Sequence, residues 1–162
     1  MKSVKNVIKN ISVFSYIILT ILGMIIFLSK EGEIKVYAAS KSSSSSDLQL
    51  MARVINGEAR GEPYEGQVAV GAVILNRVKS SKFPNTIAGV IYQSGAFTAV
   101  SDGQINEPID EKSTVYKAAQ DAMNGWDPTN GCIYYFNPDT ATSSWIWSRP
   151  QIKQIGEHIF CM

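Results

Sequence analysis

Glu58 stands where helical periodicity calls for an apolar side chain. Met51, Val54 and Ile55 fall at the i, i+3, i+4 spacing of a buried helical stripe, and the i+7 position on that stripe is Glu58. It lies in ARVINGEARGEP, residues 52–63. Charged side chains are almost never fully buried without a partner, so a carboxylate there needs a reason. One reason is structural: Glu58 could pair with Arg53 or Arg60 and help to close a helix. Three features favour chemistry instead. The position faces the core or a cleft, where desolvation disfavours a charged carboxylate. It is near the C-terminal end of its helix, whose negative dipole end acts in the same direction. Gly57 and Gly61 remove side chains around it, leaving room for a bulky substrate. A carboxyl that keeps its proton near neutral pH is what a general acid needs to protonate a leaving oxygen. Glycosidic cleavage is the reaction that most often uses one.

Glycoside hydrolases usually carry a second carboxylate, as nucleophile or as base for water. The candidates are Glu62, Glu65, Asp102 and Glu107, and none stands out. Glu62 and Glu65 read as surface or helix-start residues, and Asp102 as a turn residue. A lone acid still suffices if a hydroxyl of the substrate makes the attack. The aromatic residues agree with a sugar substrate. Tyr134, Tyr135, Phe136, Trp145 and Trp147 crowd into 14 residues, with Asn137, Ser148 and Arg149 among or beside them. Rings stack on sugar faces, while Asn, Gln and Arg bind hydroxyl and acetamido groups. The expected substrate-binding set is therefore Gln104, Tyr134, Asn137, Trp145, Trp147 and Arg149. WIW at alternate spacing suggests that Trp145 and Trp147 share a face. Other chemistry fits less well. His158 is the only histidine, so a zinc site with two or three His ligands is not available and no metal or cofactor is expected. Papain-like catalysis would need His158 with Cys132 or Cys161, and both cysteines lie in apolar runs. No phosphate-binding glycine loop occurs.

The elements that must position these residues can be read in outline. Asp47 is a good N-cap for a helix from Leu48 to about Ala59, which Gly61 and Pro63 end. EGQVAVGAVILNRV, residues 65–78, is a second helix, apolar around much of its circumference and so central to the core. Thr86 caps a short third helix, TIAGVIYQ. Asp110 caps a fourth, EKSTVYKAAQDAMNG, with Gly125 as its stop. Between them FTAVSDGQINEP, residues 97–108, lacks a helical period and suits a loop along a cleft. CIYYF (132–136) and HIFC (158–161) read as short strands. Helices followed by strands predict an α+β domain, a helical body with a small sheet beside it.

The chain of 162 residues holds one such domain behind an N-terminal segment that does not belong to it. Lys2, Lys5 and Lys9 precede a 19-residue uncharged, mostly apolar run, residues 11–29, and Val36-Tyr37-Ala38 resembles a signal-peptidase site. Residues 1–38 are thus an export signal or a retained membrane anchor, and either puts the rest outside the cytoplasm. The run KSSSSS, residues 41–46, makes 39–46 a flexible tether, and 47–162 is the compact unit. From Ala39 onward there are 10 Lys plus Arg against 12 Asp plus Glu, a net charge of −2, so nucleic acid is not expected as a partner. The two cysteines could form a disulfide in an exported protein, closing a loop of about 30 residues for ~3.5 kcal/mol. The alternative is two buried free thiols.

NGEARGEPYEGQVAVGAVILNRV, FTAVSDGQI, YYFNP and SSWIWSRPQIKQIGEHIFC, in that order, resemble the catalytic domain of the spore cortex-lytic enzymes, cell-wall hydrolases of germinating endospores. The resemblance covers residues 47–162. It implies a lysozyme-like or lytic transglycosylase-like fold with a small antiparallel sheet, a monomer acting on peptidoglycan glycan strands. It maps the family's catalytic glutamate onto Glu58. Lytic transglycosylases cleave beside N-acetylmuramic acid with one acid/base glutamate and leave a 1,6-anhydro end. A hydrolytic muramidase or glucosaminidase, an N-acetylmuramoyl-L-alanine amidase and a non-catalytic wall-binding module are the alternatives. One branch of the family has a signal, a separate peptidoglycan-binding domain and then this domain; another has the bare domain. This chain has the signal or anchor and a serine tether, which leaves cortex, vegetative and sporulation wall all open as its place of action.

Overall fold

The computed structural model describes residues 44–162. The expected signal or anchor, residues 1–38, and the tether up to residue 43 lie outside the described residues. Helix α1, residues 44–59, presents Met51, Ala52, Val54, Ile55 and Ala59 to the core, all buried. It already includes Ser44, Ser45 and Ser46, so Asp47 is inside the helix and is not its N-cap. Serine has only a middling helix propensity, and an apolar stripe docked on the core can hold such residues in the helix.

Helix α2, Tyr64–Lys79, runs through the middle of the unit, and its apolar circumference serves two cores. Val68, Val70 and Ile74 pack with α1 and the other helices. Ala69 and Val73 pack with Cys132, Ile155 and Phe160 of the sheet region. Helix α3, Ile87–Ile91, is capped as expected, with the Gly89 N–H donating to Thr86 Oγ1 at 3.0 Å. The 97–108 segment is more ordered than its composition suggests. It forms a one-turn helix α4, Thr98–Ser101, and a 3-10 turn at Gln104–Asn106, both too short to show a period. Helix α5, Thr114–Met123, starts later than expected. Asp110 accepts from the Lys112 N–H in a turn of its own, and Ser113 is the N-cap, accepting from Tyr116 N–H. Gly125, at φ 103°, provides the left-handed stop.

The sheet is antiparallel, in the order β1-β3-β2: β1 Tyr134–Phe136, β2 Gln151–Ile155 and β3 His158–Cys161. Strand β2 carries no burial pattern, because residues 151–154 are all exposed. The tryptophan segment is not extended but forms the helical turn α6, Ser144–Trp147. Helical residues two apart point about 200° apart, so Trp145 and Trp147 do not share a face. With these elements the fold is the expected α+β arrangement. Among the described residues no helix is long and apolar enough to cross a membrane.

Alternation along β1 and β3 gives the sheet two distinct faces. Tyr135 pairs with Phe160, and Phe160 packs in the α2 cluster with Ile155 and Cys132. Tyr134 pairs with Cys161, which packs instead with Phe136 and Ile146. The two cysteines are therefore in different clusters, buried and unbridged, and the disulfide is not formed. Cys132 Sγ donates to the Thr129 carbonyl at 3.1 Å, and burial pushes its thiol up to about 11. The β2–β3 turn has Gly156 at its first central position with φ 59°, the type II′ pattern. Glu62 Oε2 accepts the Glu157 N–H at 3.0 Å, and a Cβ on Gly156 would meet that same oxygen at 1.9 Å. Glu62 thus keys the hairpin tip to the α1–α2 turn.

Two outcomes test this packing. Gly71 of α2 faces α5, where an added Cβ would lie 2.9 Å from the Cβ of Ala122. Overpacking typically costs about 1–3 kcal/mol, against roughly 1 kcal/mol gained in helix propensity. Gly71→Ala should therefore lower the melting temperature, and adding Ala122→Gly should recover part of the loss. A melting point equal to or above wild type for Gly71→Ala would refute the close approach. For the cysteines, thiol titration of the unreduced, denatured protein should count both, and reductant should leave the native melting curve unmoved.

Candidate active site

The carboxyl group of Glu58 is held from two sides, each by an element distant in sequence. The Ala99 N–H in the first turn of α4 donates to Oε1 at 2.9 Å. The Tyr135 hydroxyl on β1 donates to Oε2 at 3.0 Å. Burial, followed by the charge of Glu58 and the hydrogen bond to it, raises the Tyr135 phenol well above its usual range, so it remains a donor. The approach of α4 depends on Gly57: a Cβ there would sit 2.5 Å from the Cβ of Ala99. The missing side chain of Gly57 makes room for α4, whereas a Cβ on Gly61 would meet nothing within 4 Å. Nor does Glu58 pair with an arginine. Arg60 donates through Nη1 to Gln104 Oε1, and the buried Arg53 Nε has no partner.

Glu58 opens on a cavity of about 580 Å³ walled by Gly95–Thr98 and Ser101 on one side and by Tyr135–Asn137, Thr140 and Ala141 on the other. Gly57 of α1, Arg77 of α2 and His158 of β3 complete the wall. Glu58 is the one carboxylate lining it among the described residues. The four candidates for a second carboxylate are placed elsewhere. Glu62 holds the hairpin turn, with His158 Nδ1 3.9 Å from its Oε1, and Glu65 pairs with Lys153 at 2.8 Å. Asp102 is exposed and accepts from the Gln104 backbone N–H and side-chain amide, which together hold it below the usual carboxylate range. Glu107 is exposed and off the wall. No group of three or more His, Cys, Asp or Glu among the described residues is placed to hold a metal ion.

Of the expected substrate-binding residues, Asn137 lines the cavity. Gln104 does not; it bridges Arg60 and Asp102. Tyr134 points to the other face of the sheet, with Trp145 edge-on at 5.1 Å and the Arg149 guanidinium 5.0 Å from its ring centre. Arg149 also donates to the Met162 carbonyl at 2.6 Å. Trp145 and Trp147 are both about half exposed. Trp147 leans on Phe136 at 4.8 Å and donates through Nε1 to the Ala141 carbonyl, so it backs two residues of the cavity wall. Sequence reasoning missed Tyr135, Arg77 and His158. Tyr135 was visible only as one ring in an unbroken aromatic run, and Arg77 only as one charge near the end of an apolar helix. Phe97, Thr98 and Ser101 belong to the segment expected along a cleft, and that segment does form one wall.

Residues 61–161 match the Cell Wall Hydrolase family, a span that begins just after Glu58. Over 118 residues the chain is 65% identical to the spore cortex-lytic enzyme of Bacillus cereus, covering 73% of this chain and 45% of that protein. To the spore cortex-lytic enzyme of Bacillus subtilis it is 63% identical over 118 residues, 73% of this chain and 38% of that protein. The chain thus spans less than half the length of these relatives. Among solved structures, the catalytic domain of the Bacillus cereus SleB protein matches with a TM-score of 0.69 at 65% identity, over 73% of this chain and 91% of that one. The catalytic domain of germination-specific lytic transglycosylase SleB from Bacillus anthracis matches at 0.68 and 66% identity, over 72% and 93%. With a family match across most of the folded unit and identities of this extent behind it, the chain belongs to the cell wall hydrolase family.

Proposed function

We propose that this domain is a peptidoglycan lytic transglycosylase with Glu58 as general acid and then base. The observation that carries the reading is a cavity of glycan-binding size in which Glu58 is the one lining carboxylate among the described residues. An inverting hydrolase needs a second carboxylate about 6.5–9.5 Å away to hold water, and a retaining one needs a nucleophile about 5–5.5 Å away. Among the described residues no second carboxylate lines this wall. In the proposed reaction the Glu58 carboxyl gives its proton to the glycosidic oxygen as the bond from the muramoyl anomeric carbon breaks. The resulting carboxylate takes the proton of the same sugar's C6 hydroxyl, whose oxygen bonds to the anomeric carbon. The proton returns to Glu58, no water is consumed, and a 1,6-anhydro end results. Attack within one sugar replaces a separately recruited nucleophile.

Tyr135 and the Ala99 N–H give both carboxyl oxygens a fixed donor, which aims the group and supports the carboxylate form once its proton has left. Asn137 lines the opposite wall, its amide held by a bond to Glu157 Oε2 at 3.3 Å and by the Asp139 N–H at 2.9 Å. The relation to spore cortex-lytic enzymes supports cortex peptidoglycan as the substrate during germination. The lysines and apolar run of residues 1–29 support export or anchoring outside the cytoplasm.

Glu58→Gln should fold normally and lose roughly 100-fold or more of its lytic rate, the share expected of a general acid. Near wild-type lysis by a folded Glu58→Gln protein would exclude the mechanism. Mass spectrometry of wild-type digests should find muropeptides one water lighter than hydrolytic products and resistant to borohydride. Reducing ends carrying oxygen-18 from labelled water would establish hydrolysis instead. Tyr135→Phe removes one hydrogen bond to a charged group, worth about 1.5–3 kcal/mol. It should cut kcat by roughly 10- to 100-fold with KM little changed, since the ring's contacts with Phe160 and His158 remain. Unaltered kcat would remove the phenol from the mechanism.

A further inference from the structure

Arg77 is a buried cation without a counter-ion. It is 8% exposed, and among the described residues no carboxylate lies within salt-bridge distance; the ion pairs there are Lys153–Glu65 and His158–Glu62. One nitrogen is accounted for, since Nε donates to the Ile133 carbonyl at 2.7 Å. The plane is wedged among rings, with the guanidinium carbon 5.3 Å from the centre of Phe97, 5.4 Å from Phe83 and 5.6 Å from Tyr134. Rings stabilise such a charge in part, but they accept no hydrogen bonds. The two Nη groups make no hydrogen bond among the described residues, and they are not among the polar atoms sealed from solvent, as Arg53 Nε is. Arg77 lines the cavity together with Glu58.

Removing a guanidinium from water costs several kcal/mol when nothing replaces the hydration, and cavities use such unpaired charges to select a partner of opposite sign. Burial lowers the Arg77 pKa, an effect countered by the neighbouring Tyr135, Tyr134 and Glu58 groups. With Nε taken and the plane clamped, the two Nη groups form a fixed fork that suits the two oxygens of a carboxylate. We infer that Arg77 is a carboxylate-binding site in the wall of the glycan cavity, and that it docks a carboxylate of the substrate strand while Glu58 acts on the glycosidic oxygen. The inference rests on the transglycosylase reading, because it takes the glycan strand as the cavity's occupant. Two carboxylates are available on such a strand: that of the lactyl ether on muramic acid where no peptide is attached, and those of a stem peptide where one is.

The test uses wild-type protein and four preparations: strands stripped of stem peptides and strands with intact peptides, each native and with carboxyl groups methylated. Methylation should raise KM roughly tenfold or more, the weight of a charge-assisted hydrogen bond, with kcat changed far less. The effect on stripped strands assigns the lactyl carboxylate; an effect confined to peptide-bearing strands assigns the stem. In Arg77→Gln the methylation effect should vanish, while Arg77→Lys keeps part of it. If Arg77→Gln does not fold, the wild-type series alone decides. A KM insensitive to methylation in both kinds of strand would overturn the proposal. Failure to cleave any native strand would instead sink the transglycosylase reading, a distinct outcome.

Discussion

Helix α1 ends against the one-turn helix α4 with only the Ala99 methyl group between them, because Gly57 has no side chain. The rest of the site depends on this approach. It brings a backbone N–H to one oxygen of Glu58, and it makes the 97–101 segment a wall of the cavity. A larger residue at either position would push α4 away and leave the carboxyl held from the sheet alone. Glu58 is therefore positioned by packing first and by hydrogen bonds second, which is how a short segment without propensity of its own can hold a carboxyl group in place.

Helix α2 performs the complementary task from the other direction. By burying apolar side chains on two sides it sets the helical core and the sheet at a fixed spacing, and the cavity lies over the seam. Arg77 extends from the same helix into that seam. Its Nε bond to the Ile133 carbonyl ties α2 to the chain just before β1. One residue thus joins the two halves and presents charge to the cavity.

Much of this was legible in the sequence, and the parts that were not have physical reasons. The stripe Met51, Val54, Ile55 and its interruption at Glu58 were readable because α1 is long enough to show its period. The role of α2, the Thr86 cap and the Gly125 stop were equally local signals. Strand β2 was invisible because its side chains are exposed and its partners are set by backbone bonds to β3. WIW reads as a strand in one dimension and is a helical turn in three. Tyr134 and Tyr135 are indistinguishable in YYF until pairing with β3 decides which ring faces α2. That choice separates the phenol that holds Glu58 from the one stacked against Trp145 and Arg149.

The hairpin tip bears on the same choice. Glu62 and Gly156 leave the β2–β3 turn one geometry, and β3 then fixes the partners of β1. Slipping a strand by one residue turns every side chain to the opposite face. A molecule with β1 slipped would aim Tyr134 or Phe136 where Tyr135 belongs, and could keep its helices and much of its compactness. It would pass a circular dichroism spectrum with the Glu58 carboxyl unheld from the sheet. In this domain the bond from Tyr135 to Glu58 is therefore a stricter gauge of correct folding than secondary-structure content.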